Sequence, residues 1–452
     1  MRVAVYSPLP PQRSGIADYT AELLPALARH AELELVTEPG QSLAPELAHW
    51  PRRPVAELAG AIARGETDVV LYHLGNSAEY HERILETALA LPGVVVLHEY
   101  VLHDLVRGAA LRRGEPDLWI AELAACYGAA GERAARRALA TGVGLEPQRW
   151  PLFEPVVDRS RAVLVHSEFA RRRILAARPR AEVAVVRFPL SLPGPPVGRA
   201  EARRRLGLDP SEPLLGLFGH VVPTKRPQVV VRALARLRER FPAARLLIAG
   251  EISPYLPGGA ELAEAPGVSV LGRLDLDRFH LAMEAVDVAV NLRYPVSGET
   301  SATLIRLLGL GLPVVASDAG SFVEIPESCC VRVPVGAAEE ESLVAVLAEL
   351  LATPALRAAI GANARAYTAA HHALAASAEG YAELLARVAA GGGHAPGPAE
   401  GPRPLPSELP LEERLLARLG RTLADLGVDD GDEAALDRVA AAVAEVGWGP
   451  RP

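Results

Sequence analysis

The segment from Tyr294 to Asp318, YPVSGETSATLIRLLGLGLPVVASD, carries residue types that could bind a polar, negatively charged ligand. Glu299, Thr300 and Ser301 stand where a glycine-containing loop meets the start of a predicted helix. A Ser or Thr there caps the helix, whose first amides stay free to face an anion. The carboxylate of Glu299 can accept hydrogen bonds from hydroxyl groups. We predict an anion site beside a hydroxyl-binding acid, although an ordinary capped helix start would explain the same residues.

A second segment, GHVVPTKRP, follows a strand predicted from Leu214 to Phe218 and supplies a positive charge. Lys225 falls at the start of a helix predicted from Arg226 to Arg240. A lysine there adds a point charge to the free amides of the helix. Such a place suits a diphosphate.

The residues from Asp275 to Asp277 read DLD, a spacing that also occurs in metal-diphosphate sites. They precede a helix predicted from Leu276 to Ala285, and we interpret Asp275 as its N-cap. The sequence contains no CxxC pair and no HExxH motif. We therefore predict no metal site.

Polar residues also follow the predicted strands of the first half. Gly15 lets the backbone approach a ligand, and Asn76 lies in a polar turn that enters a helix. His98 ends a strand, and His103 follows about one helical turn later. Ligands of parallel sheets bind beyond the carboxyl ends of the strands, so these residues are candidates. A purely structural role for each histidine remains open.

The elements that must position these residues alternate between short apolar strands and periodic helices, which predicts doubly wound parallel sheets of the α/β class. The proline-rich segment at 189–198 separates two such halves. We predict Rossmann-like domains at 1–190 and 199–390, facing each other across a cleft. The predicted strands are Val3 to Tyr6, Leu33 to Val36, Asp68 to Tyr72, Val94 to His98, Ala162 to His166, Val183 to Val186, Leu214 to Phe218, Arg245 to Ala249, Val268 to Leu271, Val288 to Leu292 and Pro313 to Ala316.

The last part of the chain lacks the alternation of strands and helices. A Gly/Pro-rich linker at 391–406 cannot hold a packed structure, and a small helical tail follows at 407–452. Its two amphipathic helices are predicted at Leu411 to Leu426 and Glu433 to Val446. We expect this tail to dock onto the main body or onto a partner, either a protein or a membrane surface.

The composition limits the class of protein. The 452 residues are 50% apolar and 23% charged, with a net charge of −8, which gives no reason to expect a nucleic-acid partner. Three cysteines, Cys126, Cys329 and Cys330, predict buried thiols in a reducing compartment. With no predicted signal peptide or membrane span, we expect a cytoplasmic protein. Basic runs at 171–173 and 203–205, read as solvated helix faces, leave peripheral association with the inner membrane face open.

An ordered set of short segments resembles the family-4 retaining glycosyltransferases over about residues 1–390. The segments are SGIADY at 14–19, the HE pair at His98, HSEFAR at 166–171, GHVVPTK at 219–225, IAGE at 248–251, GRL at 272–274, and GET at 298–300 followed by GLPVVASD at 311–318. The resemblance implies the two-domain GT-B fold, with a final helix around Tyr381 that crosses back onto the first domain. It also implies transfer of a hexosyl unit from a nucleotide-diphosphate sugar to an acceptor hydroxyl with retention of configuration. Neither a metal nor a cofactor is expected, because the nucleotide sugar is itself the substrate.

The resemblance also implies roles for individual residues, with catalysis assigned to Glu299, His98 and Lys225. Glu299 and His98 are expected at the donor sugar, and Asn76 and His103 on the acceptor side. The remaining donor-binding candidates are Gly15, Lys225, Thr300 and Ser301 at the diphosphate, Gly272, Arg273 and Leu274 at the base, and Gly219, His220, Gly298 and Arg306 in the adjoining loops.

Two positions depart from the family pattern. His220 stands where the family has a diphosphate-binding arginine, and Arg306 stands where it has a glutamate that binds the donor ribose. An arginine cannot accept a hydrogen bond from a ribose hydroxyl. We expect Arg306 to contact a phosphate or to cover the helix surface.

The expected acceptor is a carbohydrate, a lipid-linked molecule or a small molecule, in polysaccharide or glycoconjugate biosynthesis. The alternative is a catalytically weak GT-B-like protein that binds a nucleotide sugar or partners an active enzyme, as the two departures suggest. A sugar-nucleotide epimerase or a phosphorylase on the same architecture is a further option, because a fold does not fix the chemistry.

Overall fold

The computed structural model describes residues 1–192, 194–394, 419, 423 and 433–445, and two parallel sheets organise them. The strands of the first sheet are β1 (Arg2–Tyr6), β2 (Glu32–Thr37), β3 (Arg52–Pro54), β4 (Val69–Leu74), β5 (Val94–Leu97), β6 (Ala162–Val165) and β7 (Val183–Val185). They lie in the order β3-β2-β1-β4-β5-β6-β7, so the chain starts near the middle and winds to both edges.

Helices connect these strands and cover both faces of the sheet. They are α1 (Gly15–Leu27), α2 (Val55–Ala63), α3 (Ala78–Ala90), α4 (His103–Arg112), α5 (Pro116–Thr141), α6 (Glu154–Arg159) and α7 (Glu168–Ala177). The central strands are buried on both faces, as their unbroken runs of Val, Leu and Ala require. In register, Val3 of β1 lies opposite Leu33 of β2 and Val69 of β4.

The second sheet has six parallel strands. They are β8 (Leu214–Phe218), β9 (Arg245–Ala249), β10 (Val268–Gly272), β11 (Val288–Asn291), β12 (Val314–Ser317) and β13 (Val331–Val333), in the order β10-β9-β8-β11-β12-β13. Its helices are α8 (Arg199–Leu206), α9 (Pro227–Arg240), α10 (Gly259–Ala263), α11 (Leu276–Ala285), α12 (Ala302–Gly309), α13 (Glu339–Ala352) and α14 (Pro354–His371). The predicted fold class, two doubly wound parallel sheets facing across a cleft, is confirmed.

The helix α15 (Leu374–Ala389) returns to the first sheet, although it follows the second sheet in sequence. The buried hydroxyls of Tyr381 and Tyr19 lie 2.7 Å apart. Just before this helix, Nδ1 of His372 lies 2.7 Å from the carbonyl oxygen of Phe188. The expected crossing of the final helix onto the first half is confirmed, and it ties the two halves together.

Two strands were missing from the prediction, namely β3 and β13. Both contain only three residues, and β3 reads RRP, with no apolar alternation to reveal it. Each lies at an edge of its sheet, where a strand needs partners on one side only. Pairing with a neighbour, rather than local pattern, therefore creates these strands.

Arg203 corrects the interpretation of the run at 203–205 as a solvated helix face. Its side chain is buried, and its guanidinium donates to a carboxylate oxygen of Asp287 and to the carbonyl oxygen of Ala285. Further donation to the carbonyl oxygens of residues 209, 210 and 212 fixes the loop before β8. Arg204 and Arg205 are solvent-facing and pair with Glu201.

Other expectations concern the thiols and the C-terminal part. All three cysteines are buried and free, as predicted. The tail contributes one described helix, α16 (Glu433–Glu445), whereas the prediction at Leu411 to Leu426 lies almost wholly outside the described residues. In the described part of the chain no single helix has the length and apolar character to cross a membrane, and only the bent pair of α13 and α14 meets both criteria jointly.

Candidate active site

The carboxyl ends of the two sheets face each other across the cleft, and a few contacts join its walls. The amide of Tyr100, after β5, donates to the carbonyl oxygen of Ser297, after β11, at 3.0 Å. Nε2 of Gln148 donates to Oγ of Ser297 at 3.3 Å. The loop between β11 and α12 therefore lies against the first half, with Glu299 at its end.

The conformation of this loop depends on Gly298. Its φ is +83°, in the left-handed region, and a Cβ atom there would collide with the ring of Tyr100. The carboxylate of Glu299 accepts a hydrogen bond of 2.6 Å from the amide of Ser297 and lies 3.4 Å from the guanidinium of Arg293. Glu299 is thus held in one orientation at the cleft.

The start of α12 differs from the prediction by one or two residues. Ser301 is the N-cap, and its hydroxyl accepts from the amide of Leu304 at 3.2 Å, so its capping role is confirmed. The amides of Ala302 and Thr303 find no acceptor among the described residues. These two amides are the free first amides of the helix, and the amides of Thr300 and Ser301, which precede it, likewise have no acceptor among the described residues.

Lys225 lies in a 3-10 turn, Pro223–Lys225, that precedes α9, and not at the helix start as predicted. The reason is Arg226, whose left-handed φ of +56° separates the turn from the helix. The ammonium of Lys225 donates to the carbonyl oxygen of Phe218 at 2.6 Å. Burial, with Arg293 adding to it, holds the pKa of this ammonium well below its ordinary value.

Lys225 and the start of α12 converge beside Gly219. We call this place the anion corner: Gly219, Lys225 and the free amides of α12. The Lys225 ammonium and the Thr303 hydroxyl both lie within 3.4 Å of where a Cβ on Gly219 would stand. Gly219 also has a φ of +78°, so a side chain there is disfavoured both by these close neighbours and by the backbone conformation. A buried lysine beside free helix amides makes this corner suitable for a diphosphate, whose negative charge favours the protonated ammonium.

Three histidines meet where β4, β5 and β6 end, around the ring of Tyr19. Nδ1 of His73 lies 3.1 Å from Nε2 of His98, and the ring centres of His98 and His166 are 5.2 Å apart. Burial lowers the pKa of His73 to about 3 and the pKa of His166 to about 4. It also lowers the pKa of His98 well below its ordinary value. All three rings are therefore neutral at pH 7.

The hydrogen bonds of these rings indicate which nitrogen of His98 carries its proton. Nε2 of His73 is buried without a partner among the described residues. Because buried N–H groups without an acceptor are rarer than acceptors without a donor, we assign the His73 proton to Nδ1, which donates to His98. The proton of His98 then lies on Nδ1. His98 is partly exposed, and it thus offers a neutral N–H donor to the cleft.

Glu99 is a residue to which the sequence analysis assigned no role. Its Oε1 accepts from the amide of Asn76 at 3.0 Å. Burial raises the pKa of Glu99 to about 8, and the charge of Glu299 in the opposite wall adds to this rise. A carboxyl group that is protonated at neutral pH can hold a proton at the cleft floor. The signal was its place in the HE pair, one residue after His98.

The pKa of Glu99 predicts a pH-dependent stability. The neutral carboxyl persists in the folded protein up to about pH 8, whereas the unfolded chain ionises above its ordinary value of 4.5. The contribution of Glu99 is therefore fully present below pH 4.5 and is lost as pH rises through about 8. We expect Glu99→Gln to flatten the loss of unfolding free energy over this interval, measured by urea unfolding. An exposed control, Glu261→Gln, should leave the slope unchanged, and equal slopes for both variants would contradict this assignment.

Arg306 has a different partner from those expected. Its guanidinium lies 2.7 Å from the carboxylate of Glu22 on α1, and it forms an ion pair across the cleft. Burial raises the pKa of Glu22 and of nearby Asp18, and Arg306 opposes both rises. Arg306 thus joins the two halves through carboxylates of α1, and it does not merely cover the helix surface.

The two acceptor-side candidates both support α4. Oδ1 of Asn76 accepts from the amides of Asp104 and Leu105, at 2.8 and 3.0 Å, and so holds the first turn of α4. His103 is 1% exposed, and its Nδ1 lies 2.8 Å from the carbonyl oxygen of Trp150. This corrects the expectation that His103 contacts the acceptor, because its buried ring packs edge-on against Trp119.

The remaining candidates lie in loops at the carboxyl ends of the strands. Gly15 begins α1, and Gly272 ends β10 with a left-handed φ of +64°. His220 and Arg273 are exposed, and Leu274 is half-buried. The charge of Arg273 opposes the rise that burial causes in the pKa of Asp18 and of Tyr80, so it acts on two groups of the first half. Asp275 caps α11 by accepting from the amide of Arg278 at 2.8 Å, and this prediction is confirmed.

Comparison with known proteins relates this geometry to a family. Residues 212–353 match the family model described as glycosyl transferases group 1. Over 209 residues the chain is 30% identical to the D-inositol 3-phosphate glycosyltransferase of Mycobacterium marinum, and the match covers 41% of each chain. The chain therefore spans about two fifths of the length of this curated relative.

Two solved structures have the same fold at low sequence identity. Sucrose-phosphate synthase from Thermosynechococcus elongatus superposes with a TM-score of 0.62 at 17% identity, over 86% of this chain and 100% of that one. HepE from Anabaena, in complex with UDP and glucose, gives a TM-score of 0.61 at 15% identity, over 85% and 99%. The chain thus has the GT-B fold, and residues 212–353 of its second half carry the sequence pattern of the glycosyl transferases group 1 family.

Proposed function

We propose that the protein is a glycosyltransferase that moves a hexosyl unit from a nucleotide-diphosphate sugar to an acceptor hydroxyl. One observation carries the proposal: the anion corner lies in the same cleft as Glu299 and the neutral N–H of His98. A diphosphate leaving group and a sugar need these two environments side by side. The family match of residues 212–353 and the UDP and glucose bound by HepE support the same reading.

The roles follow from the charge that develops during the reaction. As the bond between the anomeric carbon and the diphosphate breaks, negative charge grows on the diphosphate and positive charge on the sugar. Lys225 and the α12 amides stabilise the diphosphate, and each well-aimed donor is worth about 10²–10³ in rate. Glu299 accepts hydrogen bonds from sugar hydroxyls. The N–H of His98 donates to a sugar oxygen.

We further propose that the reaction retains the anomeric configuration and requires no metal. The acceptor oxygen then attacks from the face that the diphosphate leaves, and the acceptor proton passes to the departing phosphate oxygen. Lys225 and Arg293 provide positive charge from the chain itself. Glu99, protonated at neutral pH, supplies a hydrogen-bond donor for a sugar or acceptor oxygen.

The first test is thermal stabilisation by UDP, GDP, ADP, TDP and their sugars. Binding to the folded state alone stabilises by about 2.7 kcal/mol at a hundredfold excess over Kd, which is easily detected. We expect one nucleotide to act selectively and its sugar to be hydrolysed slowly without acceptor. Binding without any turnover would favour the catalytically weak alternative, and no binding to any nucleotide would overturn the proposal.

The finer claims need two further measurements once the donor is known. The coupling constant of the anomeric proton in the product should match that of the donor, and inversion would refute retention. Turnover should be unchanged after exhaustive treatment with EDTA, whereas a loss restored by a divalent cation would refute metal independence.

A further inference from the structure

A cavity of about 490 Å³ lies in the first half, between the second part of α5 and the segment 142–150 that returns beneath it. Helix α5 is broken at Gly128, with φ +62° and ψ −156°, so its second part diverges and leaves this space. The walls are mostly apolar, formed by Ala130, Ala134, Ala138, Leu145 and Trp150 among others. The cavity can therefore accommodate the uncharged body of a small ligand.

Three arginines face this cavity: Arg133 and Arg137, one helical turn apart on α5, and Arg149. Within residues 1–192 and 194–394, none of them pairs with a carboxylate, and Arg149 stacks on the ring of Trp150 at 5.4 Å. Arg136 points elsewhere and pairs with Glu132. Like charges around one cavity repel each other unless an anion lies between them.

The segment 142–150 connects this cavity with the reaction site proposed above. Gln148 lies between two lining residues, Glu146 and Arg149, and donates to Ser297 at 3.3 Å. The amide of Ser297 in turn donates to the carboxylate of Glu299. The segment that closes the cavity is therefore tied through Gln148 to the loop that holds Glu299.

We propose that the cavity binds a phosphate ester carried by the glycosyl acceptor. Guanidinium groups bind phosphate oxygens in pairs of parallel hydrogen bonds, and three of them surround this space. The apolar walls and the Trp150 ring contact the remainder of the acceptor. The carboxylate of Glu146 also lines the cavity and repels a bound anion. The proposal therefore predicts that removal of this charge strengthens binding. The proposal rests on the proposed function, since it names the class of acceptor.

The test measures binding of glucose 6-phosphate by calorimetry, with glucose as the neutral control. Arg133→Gln and Arg137→Gln should each weaken binding about tenfold, because each removes a charged hydrogen bond. Glu146→Gln should strengthen binding, an effect that a merely structural role would not produce. The matched control, Arg136→Gln on the same helix, should bind as the wild type does. Binding should also weaken as salt rises.

A second arm separates a soluble phosphate ester from a lipid-borne one. Phosphatidylcholine vesicles with and without phosphatidic acid are sedimented with the same variants. Arginine-dependent binding of either the sugar phosphate or the anionic vesicle supports the proposal and identifies the source. If neither probe binds, or if the Arg133 and Arg137 variants bind as the wild type does, the proposal fails. Nucleotide binding, measured in parallel, shows whether the proposed function fails with it.

Discussion

Replacing Lys225 by methionine is expected to lower kcat/KM for glycosyl transfer about 10²–10³-fold. Methionine keeps the length of the buried side chain but removes the ammonium that lies beside Gly219 and the free amides of α12. The charge on the departing diphosphate then loses its buried cation. The loss should appear in kcat/KM when the donor concentration is varied. The Kd of the free nucleoside diphosphate should rise as well.

Arg226→Gln is the matched control for this variant. Arg226 is the next residue, but its guanidinium pairs with the buried carboxylate of Glu339 at 2.6 Å. Its loss should lower the melting temperature, because a buried carboxylate is left unpaired, and should leave kcat/KM close to that of the wild type. If Lys225→Met kept wild-type kcat/KM, the anion corner would not be the diphosphate site.

His98→Leu is expected to lower kcat about 10²-fold, because the cleft loses the N–H that donates to the sugar. His73→Leu should lower kcat about tenfold, although His73 does not contact the substrate. The reason is that this variant loses the hydrogen bond that fixes the His98 tautomer. His73→Asn should largely restore kcat. The asparagine amide places a donor near the position of Nδ1, so the bond to Nε2 of His98 survives.

Nitrogen NMR of His98 provides a readout that simple loss of packing would not change. In the wild type and in His73→Asn the proton should reside on Nδ1, whereas in His73→Leu both tautomers should be populated. An Nε2-protonated His98 in the wild type would reverse the assignment. In that case His98 would offer the cleft an acceptor, and the Asn variant would not rescue activity.

Several features followed from sequence because they depend on neighbours in the chain. The strands β8 and β9 and the helix α11 have the predicted bounds, since a buried parallel strand needs only a short apolar run. Ser301 and Asp275 cap their helices as predicted, because a cap joins atoms three residues apart. The order of short motifs was likewise sufficient to predict the GT-B fold.

The tertiary structure decided how the side chains of the site are used. Arg306 pairs with Glu22, which lies 284 residues earlier, so no local pattern could name its partner. Lys225 lies in a 3-10 turn that the left-handed backbone of Arg226 separates from α9, and its ammonium reaches the carbonyl oxygen of Phe218.

The proton assigned to Nδ1 of His98 follows from its contact with His73 on a neighbouring strand, and the raised pKa of Glu99 follows from burial and from Glu299 of the opposite wall. Sequence thus determined the elements and their order, because periodicity and capping are local interactions. Only the fold determined charge, protonation and partner at the site, because these depend on groups that are close in space but distant along the chain.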